Sequence, residues 1–331
     1  MPESKGGLDL DQMKPDPEPD DMIKSYRYLR VALPVLILFL VAAVITEFFS
    51  TPGDHCFRTS ISGYYYTPAR AVLTGSLIAV GVCLIALKGQ AEAEDALLNV
   101  AGMFAFVVAL VPPPPPTTQS IRAGLECWSV QVDYANTREN IANNLTALLV
   151  VGTVSLAVVP ILNKVTAKGK WPSSWKVGYG FAWSVLLLTV VWLIIVRQSR
   201  DDHSFFLLTR IAHYGAAIGL FACIVWVVRL NSTRYNQFVA RTTTVSPRWN
   251  QYHRIFWAMV GSGCLEAVLG LVPWRRSGLS LEWQHWLLGV ETTEIVLFAT
   301  FWALQTIESW DRRERISPAS CPPSSGEQTA G

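Results

Sequence analysis

VALPVLILFLVAAVI (31–45) and GFAWSVLLLTVVWLIIV (180–196) contain no charged residue and no polar face. A helix of that composition meets water badly on every side, which argues against a large soluble helical protein and for one embedded in lipid. Six further apolar stretches accompany these two. The eight expected spans run roughly 30–49, 68–87, 95–112, 142–163, 177–196, 208–229, 254–272 and 285–308. Each approaches the ~20 residues that cross a hydrocarbon layer.

Composition agrees. Of 331 residues, 51% are hydrophobic and only 16% charged, and the mean hydropathy is +0.30. The expected fold class is all-α, a polytopic membrane bundle of about eight transmembrane helices. A single transmembrane domain is expected over 24–310, flanked by tails at 1–23 and 311–331 too polar to bury enough apolar surface for ordering. The first apolar run follows Lys24, Arg27 and Arg30 without a convincing cleavage signature, so a retained span is expected there in place of a signal peptide.

Charge sets the orientation. With the amino terminus in the cytoplasm and eight crossings, most of the 27 basic residues fall on the cytoplasmic side, notably in Lys164–Lys176 and Arg229–Arg254. Both termini are therefore expected to be cytoplasmic. The third span, cut short by Pro112, and the seventh, which carries Glu266, are the weakest. Basic cytoplasmic loops are explained by topology and do not imply nucleic acid.

Of the six cysteines, Cys83, Cys223 and Cys264 fall inside spans, where a thiol is apolar filler. Cys56 and Cys127 fall in two outside loops, where a disulfide between them is chemically permitted and two free thiols are equally compatible with the sequence. In the first outside loop, Tyr64, Tyr65 and Tyr66 read either as anchors at the headgroup level or as part of a loop folded back over the bundle. Pro112–Pro116 forms a stiff extended spacer after the third span. Glu94 and Asp95 open that span, where carboxylates meet free backbone N–H groups.

Ionisable groups within hydrocarbon are costly and usually have partners. The sixth span carries Arg210, His213 and Tyr214, the seventh Ser262 and Glu266, and the eighth His285, Glu291 and Glu294. Spacings of three and four place each set on one side of its helix, and rise per residue puts all of them in the exoplasmic half. Two functions compete with a packing role, in which Arg210 would bridge to Glu266 or Glu291. The acids could line a polar pocket for a small amphiphile or cation, their negative surplus calling for a compensating charge. Alternatively His213, His285 and Glu266 could hold a metal for hydrolysis of a lipid-like substrate. No HExxH, GxSxG or Walker sequence is present, no inverted repeat is evident, and the cofactor, if there is one, is unspecified.

SISGYYYTPARAVLTGSLIAVGVCLIALKG (60–89), followed by EDALLNVAGMFAFVVALVP (94–112), resembles an uncharacterised family of actinobacterial multi-pass membrane proteins. The resemblance covers the bundle and implies a bacterial plasma-membrane setting with lipid neighbours. It implies no activity. The pocket reading is the expectation carried forward, with Arg210, His213, Glu266, His285, Glu291 and Glu294 as its candidate ligand-binding residues.

Overall fold

The computed structural model describes residues 19–50, 57–89, 91–115, 134–166, 173–198, 202–242, 251–271 and 285–310. These form eight α-helices: α1 Pro19–Ser50, α2 Arg70–Ala86, α3 Glu92–Leu110, α4 Tyr134–Thr166, α5 Ser173–Gln198, α6 Asp202–Thr242, α7 Gln251–Leu271 and α8 Trp286–Trp310. A short 3-10 helix, Ser62–Tyr66, precedes α2. Long apolar helices are the expected solution in lipid because each backbone N–H and C=O finds its partner within the segment.

Each of the eight expected apolar stretches coincides with one of these helices, four of them overrunning it by one or two residues at one end or both. Five helices, α1, α3, α4, α6 and α8, are long and apolar enough to cross a membrane, while the apolar parts of α2 and α5 are shorter. The helices outrun the apolar windows: α6 continues from its apolar part to Thr242, and α4 begins at Tyr134. Hydropathy marks where lipid would lie, whereas the hydrogen-bond ladder persists beyond it. Cys56 and Cys127, both tails beyond α1 and α8, and the segment around Trp128 lie outside the described residues.

Six helices close a ring in which α1 neighbours α2, then α3, α6, α7, α8 and α1 again. The α4–α5 pair stands outside this ring, with α5 against α3. One apolar cluster fills the ring and draws on all six members, including Leu33 of α1, Leu84 of α2, Ala101 of α3, Ile224 of α6, Met259 of α7 and Phe301 of α8. Beyond the ring, α4 and α5 expose Val151, Ile161, Leu187 and Leu188, as helices bordered by lipid do.

At the end carrying the start of α1, polar contacts link every neighbouring pair of the ring. Tyr26 donates to the Lys88 carbonyl (3.0 Å), joining α1 to the end of α2. Asp95 of α3 meets the Lys88 ammonium at 3.2 Å and accepts the Gly89 N–H at 3.3 Å. Glu94 reaches α6, accepting from Asn231 at 2.9 Å and Arg234 at 2.6 Å. The Arg229 guanidinium lies 5.4 Å from the Phe256 ring centre of α7, Tyr252 donates to Glu308 of α8 at 2.6 Å, and Arg30 donates to Gln305 at 3.0 Å, returning to α1.

Lipid tails are as apolar as leucine, so helices here associate through close contact more than through water exclusion. The closest approach is between α2 and α3. A Cβ on Gly102 would lie 2.6 Å from the Gly81 carbonyl oxygen and 2.6 Å from Ile85, whereas one on Gly215 would meet nothing within 4 Å. Gly102→Ala is therefore expected to lower stability by about 1–3 kcal/mol through overpacking against backbone, read as a lower thermal midpoint of the purified protein in detergent. Gly215→Ala is the control and should leave the midpoint unchanged.

Candidate functional site

The segment before α2 forms a cap on the other end of the ring. Its local fold follows from its short polar side chains: the Ser60 hydroxyl accepts the Gly63 N–H (3.0 Å) at the start of the 3-10 turn, and the Thr67 hydroxyl donates to the Tyr64 carbonyl (2.8 Å) at its end. Ile61, Tyr64 and Tyr65 are buried against Leu40 and Val44 of α1, Leu73 of α2 and Leu288 of α8. Tyr64 and Tyr65 are thus core residues, with Tyr66 partly buried beside them. Three large side chains on a tight turn cover the gap between the ends of α1, α2 and α8.

Tyr65 and Tyr66 still use their polar ends. Arg70 donates to the Tyr65 hydroxyl at 2.6 Å with its guanidinium 4.2 Å from the ring centre, and Tyr66 donates to the Pro113 carbonyl at 2.6 Å. Burial pushes the Tyr65 phenol above its ordinary value, opposed by Arg70. Burial likewise raises Tyr64, with the Arg58 backbone and charge opposing and Glu47 reinforcing.

Beneath the cap lie the acids of α7 and α8. Glu291 accepts the Ile61 backbone N–H at 2.5 Å, with the Ser62 N–H beside it. Glu294, one turn further along α8, is only 5% exposed, and its Oε2 has no hydrogen-bond partner. The Ser262 hydroxyl of α7 faces Glu294, and Glu266 is near enough to act electrostatically on both α8 carboxylates. His285, just before α8, approaches the Arg58 carbonyl through Nδ1 at 3.3 Å. Glu266, Glu291, Glu294 and His285 are therefore brought to one end of the ring, as their depths suggested.

Arg210 and His213 do not join them. His213 is 2% exposed and its Nδ1 lies 2.6 Å from the Val111 carbonyl at the end of α3. A carbonyl only accepts, so Nδ1 carries the proton in this contact. The ring borders a cavity of about 10 Å³, room for about one water, lined also by Ser62, Tyr65, Pro112 and Pro113. Arg210 is exposed and makes no ion pair with any of the three acids among the described residues. The expected bridge to Glu266 or Glu291 is absent because the buried face of α6 at this level is turned toward α3. Three residues along a helix also leave side chains about 60° apart, enough to put His213 inside and Arg210 outside.

The interhelical ion pair lies at the opposite end instead. Glu94, 2% exposed, pairs with Arg234, whose side chain is 29% exposed. Glu94 and Asp95 depart from the expected role of meeting the free N–H groups at the start of α3: Asp95 takes the Gly89 N–H and the Lys88 ammonium in the connection before the helix, and Glu94 crosses to α6. Nothing local to Glu94 distinguishes the two, since its partner is 140 positions away.

Among the described residues no group of three His, Cys, Asp or Glu side chains is arranged to hold a metal ion. His213 and His285 approach separate backbone carbonyls, those of Val111 and Arg58. Cys83, Cys223 and Cys264 are free thiols. No family model matches the chain, and neither a curated protein nor a solved structure matches it.

These placements separate two residues that sequence alone grouped together. His213→Leu strands the Val111 carbonyl in a buried setting and should cost about 1–3 kcal/mol. Arg210→Gln, on an exposed side chain, should stay within about 0.5 kcal/mol of the parent protein. Thermal unfolding of the two variants side by side checks the assignment; equal losses would restore a structural partner to Arg210.

Proposed function

We propose that the chain crosses a bacterial plasma membrane eight times, with both termini cytoplasmic and residues 24–310 forming one transmembrane domain. The end of the ring bearing the cap then faces the exoplasm. There, Glu266, Glu291 and Glu294 bind a small molecule by its positive charge, either a free cation or the head of a small amphiphile, and hold it for uptake or release. Of the histidines at that end, His285 borders the cap and His213 stands apart from the acids against the Val111 carbonyl.

The observation that carries this reading is the Glu294 carboxylate. It is buried, one oxygen lacks any donor, and among the described residues the ionisable neighbour acting on it is a further acid, Glu266. A charge so placed needs compensation, and where the protein supplies none a positively charged guest does so favourably. Eight crossings are supported by five long apolar helices, by closure of the ring through α2 and α7, and by the basic cytoplasmic loops. The metal-hydrolase alternative gains no support from the separated histidines. A packing role is favoured at the other end, where Glu94 meets Arg234.

Equilibrium binding of tetraphenylphosphonium, and separately of sodium, to the purified protein tests the proposal. Glu294→Gln and Glu291→Gln each keep the shape of the side chain and should weaken binding at least about tenfold, a loss of about 1.4 kcal/mol. The reading fails if neither probe binds the parent protein or if both variants bind as it does.

A further inference from the structure

The opposite end of the ring holds a charge problem of the reverse sign. Arg30 of α1 is only 4% exposed. Its Nη1 donates to Gln305 Oε1 at 3.0 Å and lies 3.5 Å from the Gln305 carbonyl, and its Nη2 donates to the Tyr26 hydroxyl at 2.5 Å. The guanidinium carbon stands 4.7 Å from the Tyr26 ring centre and 5.9 Å from that of Trp302. Every one of these partners is neutral. They orient the guanidinium through dipoles and ring faces but return no negative charge to it.

Three acids of this end, Glu94, Asp95 and Glu308, have other partners. Glu94 serves Arg234 and Asn231, Asp95 serves Lys88 and Gly89, and Glu308 accepts from Tyr252. Arg30 has no ion pair among the described residues. Lys24 and Arg27, on the same helix, add positive charge.

Two donors are also left over. The Arg30 Nε–H is buried without an acceptor, and so is the indole N–H of Trp302, a residue only 1% exposed. A buried donor without an acceptor costs about 1–3 kcal/mol. Here two such donors belong to side chains in contact with each other, one of them cationic. An oxyanion would satisfy both, because a guanidinium edge and an indole N–H each present a hydrogen to an oxygen with several lone pairs.

We propose that Arg30 and Trp302 form an anion site between α1 and α8 that takes a phosphate group, separate from the carboxylates at the capped end. The phosphate comes either from an anionic lipid headgroup or from free inorganic phosphate. The headgroup has a route: α1 exposes Val35, Leu38 and Phe39 along its length, an apolar wall on which acyl chains can lie while the head reaches the basic start of the helix. Selectivity for phosphate over a halide comes from two donors on different helices, which a single-point acceptor engages less well.

The test uses the full chain and three variants. Thermal unfolding is followed in detergent with and without inorganic phosphate at constant ionic strength, and in nanodiscs of phosphatidylcholine with and without phosphatidylglycerol. The parent protein should be stabilised by one of the two phosphate sources; phosphatidylglycerol alone identifies a headgroup site, and inorganic phosphate alone identifies a free-anion site. Trp302→Phe keeps the ring and removes only the N–H, and Arg30→Lys keeps the charge and removes the fork. Each should weaken the effective affinity about tenfold. Gly215→Ala, on α6 with open space around it, should respond to phosphate as the parent does. The proposal is overturned if neither source stabilises the parent protein, or if Trp302→Phe is stabilised to the same extent.

Discussion

Charge inside a membrane protein must be matched within a few ångströms, because hydrocarbon offers neither water nor mobile ions to screen it. The two ends of the six-helix ring meet that demand differently. Around the start of α1, polar contacts run from helix to helix until the circuit closes, with Glu94 matched by Arg234 at 2.6 Å. Under the cap, Glu294 has one oxygen without a hydrogen-bond partner and, among the described residues, the electrostatic neighbour acting on it is another acid, Glu266. The first arrangement holds the helices in place; the second leaves a buried carboxylate whose charge the proposed guest would match.

Packing makes that contrast possible. The apolar cluster of the ring lies toward the tied end, where α2 and α3 approach until glycine meets glycine. Toward the capped end α7 contacts its neighbours along a narrow stripe that includes Ser262 and Glu266, while Gly261, Gly263, Cys264 and Leu265 remain exposed. At the capped end a second apolar cluster joins α1, α2, α8 and the cap, and α7, which carries Glu266, is the helix most exposed there. Elements that move in binding or transport are drawn from regions of low contact density, and the exposed outer half of α7 fits that description better than the tied end does.

Much of the helical layout was legible in the sequence because hydropathy and backbone hydrogen bonding select the same segments. The grouping of Glu266, Glu291, Glu294 and His285 was legible for a related reason: depth follows from rise per residue once the span ends are set. Azimuth was not legible. Which side of α6 faces α3 and which faces α7 depends on the order of helices around the ring, and a spacing of three residues constrains two side chains only to within about 60°. Arg210 and His213 part company on that uncertainty. The Glu94–Arg234 pair and the Arg30–Gln305 contact escaped for a second reason, since these residues sit at or near the ends of the expected spans, where charge is ordinarily explained by topology. Only the three-dimensional path shows that Glu94 and Arg30 are buried.

The functional reading depends on which side of the membrane the acids face, and site-directed accessibility measures that directly. In a background lacking the native cysteines, Ser277→Cys and Ala167→Cys can each be tested in intact cells with a membrane-impermeant maleimide. The expected result is labelling of position 277 in intact cells and of position 167 only after permeabilisation. Labelling of position 277 only after permeabilisation would put the carboxylates on the cytoplasmic side and contradict an exoplasmic binding site.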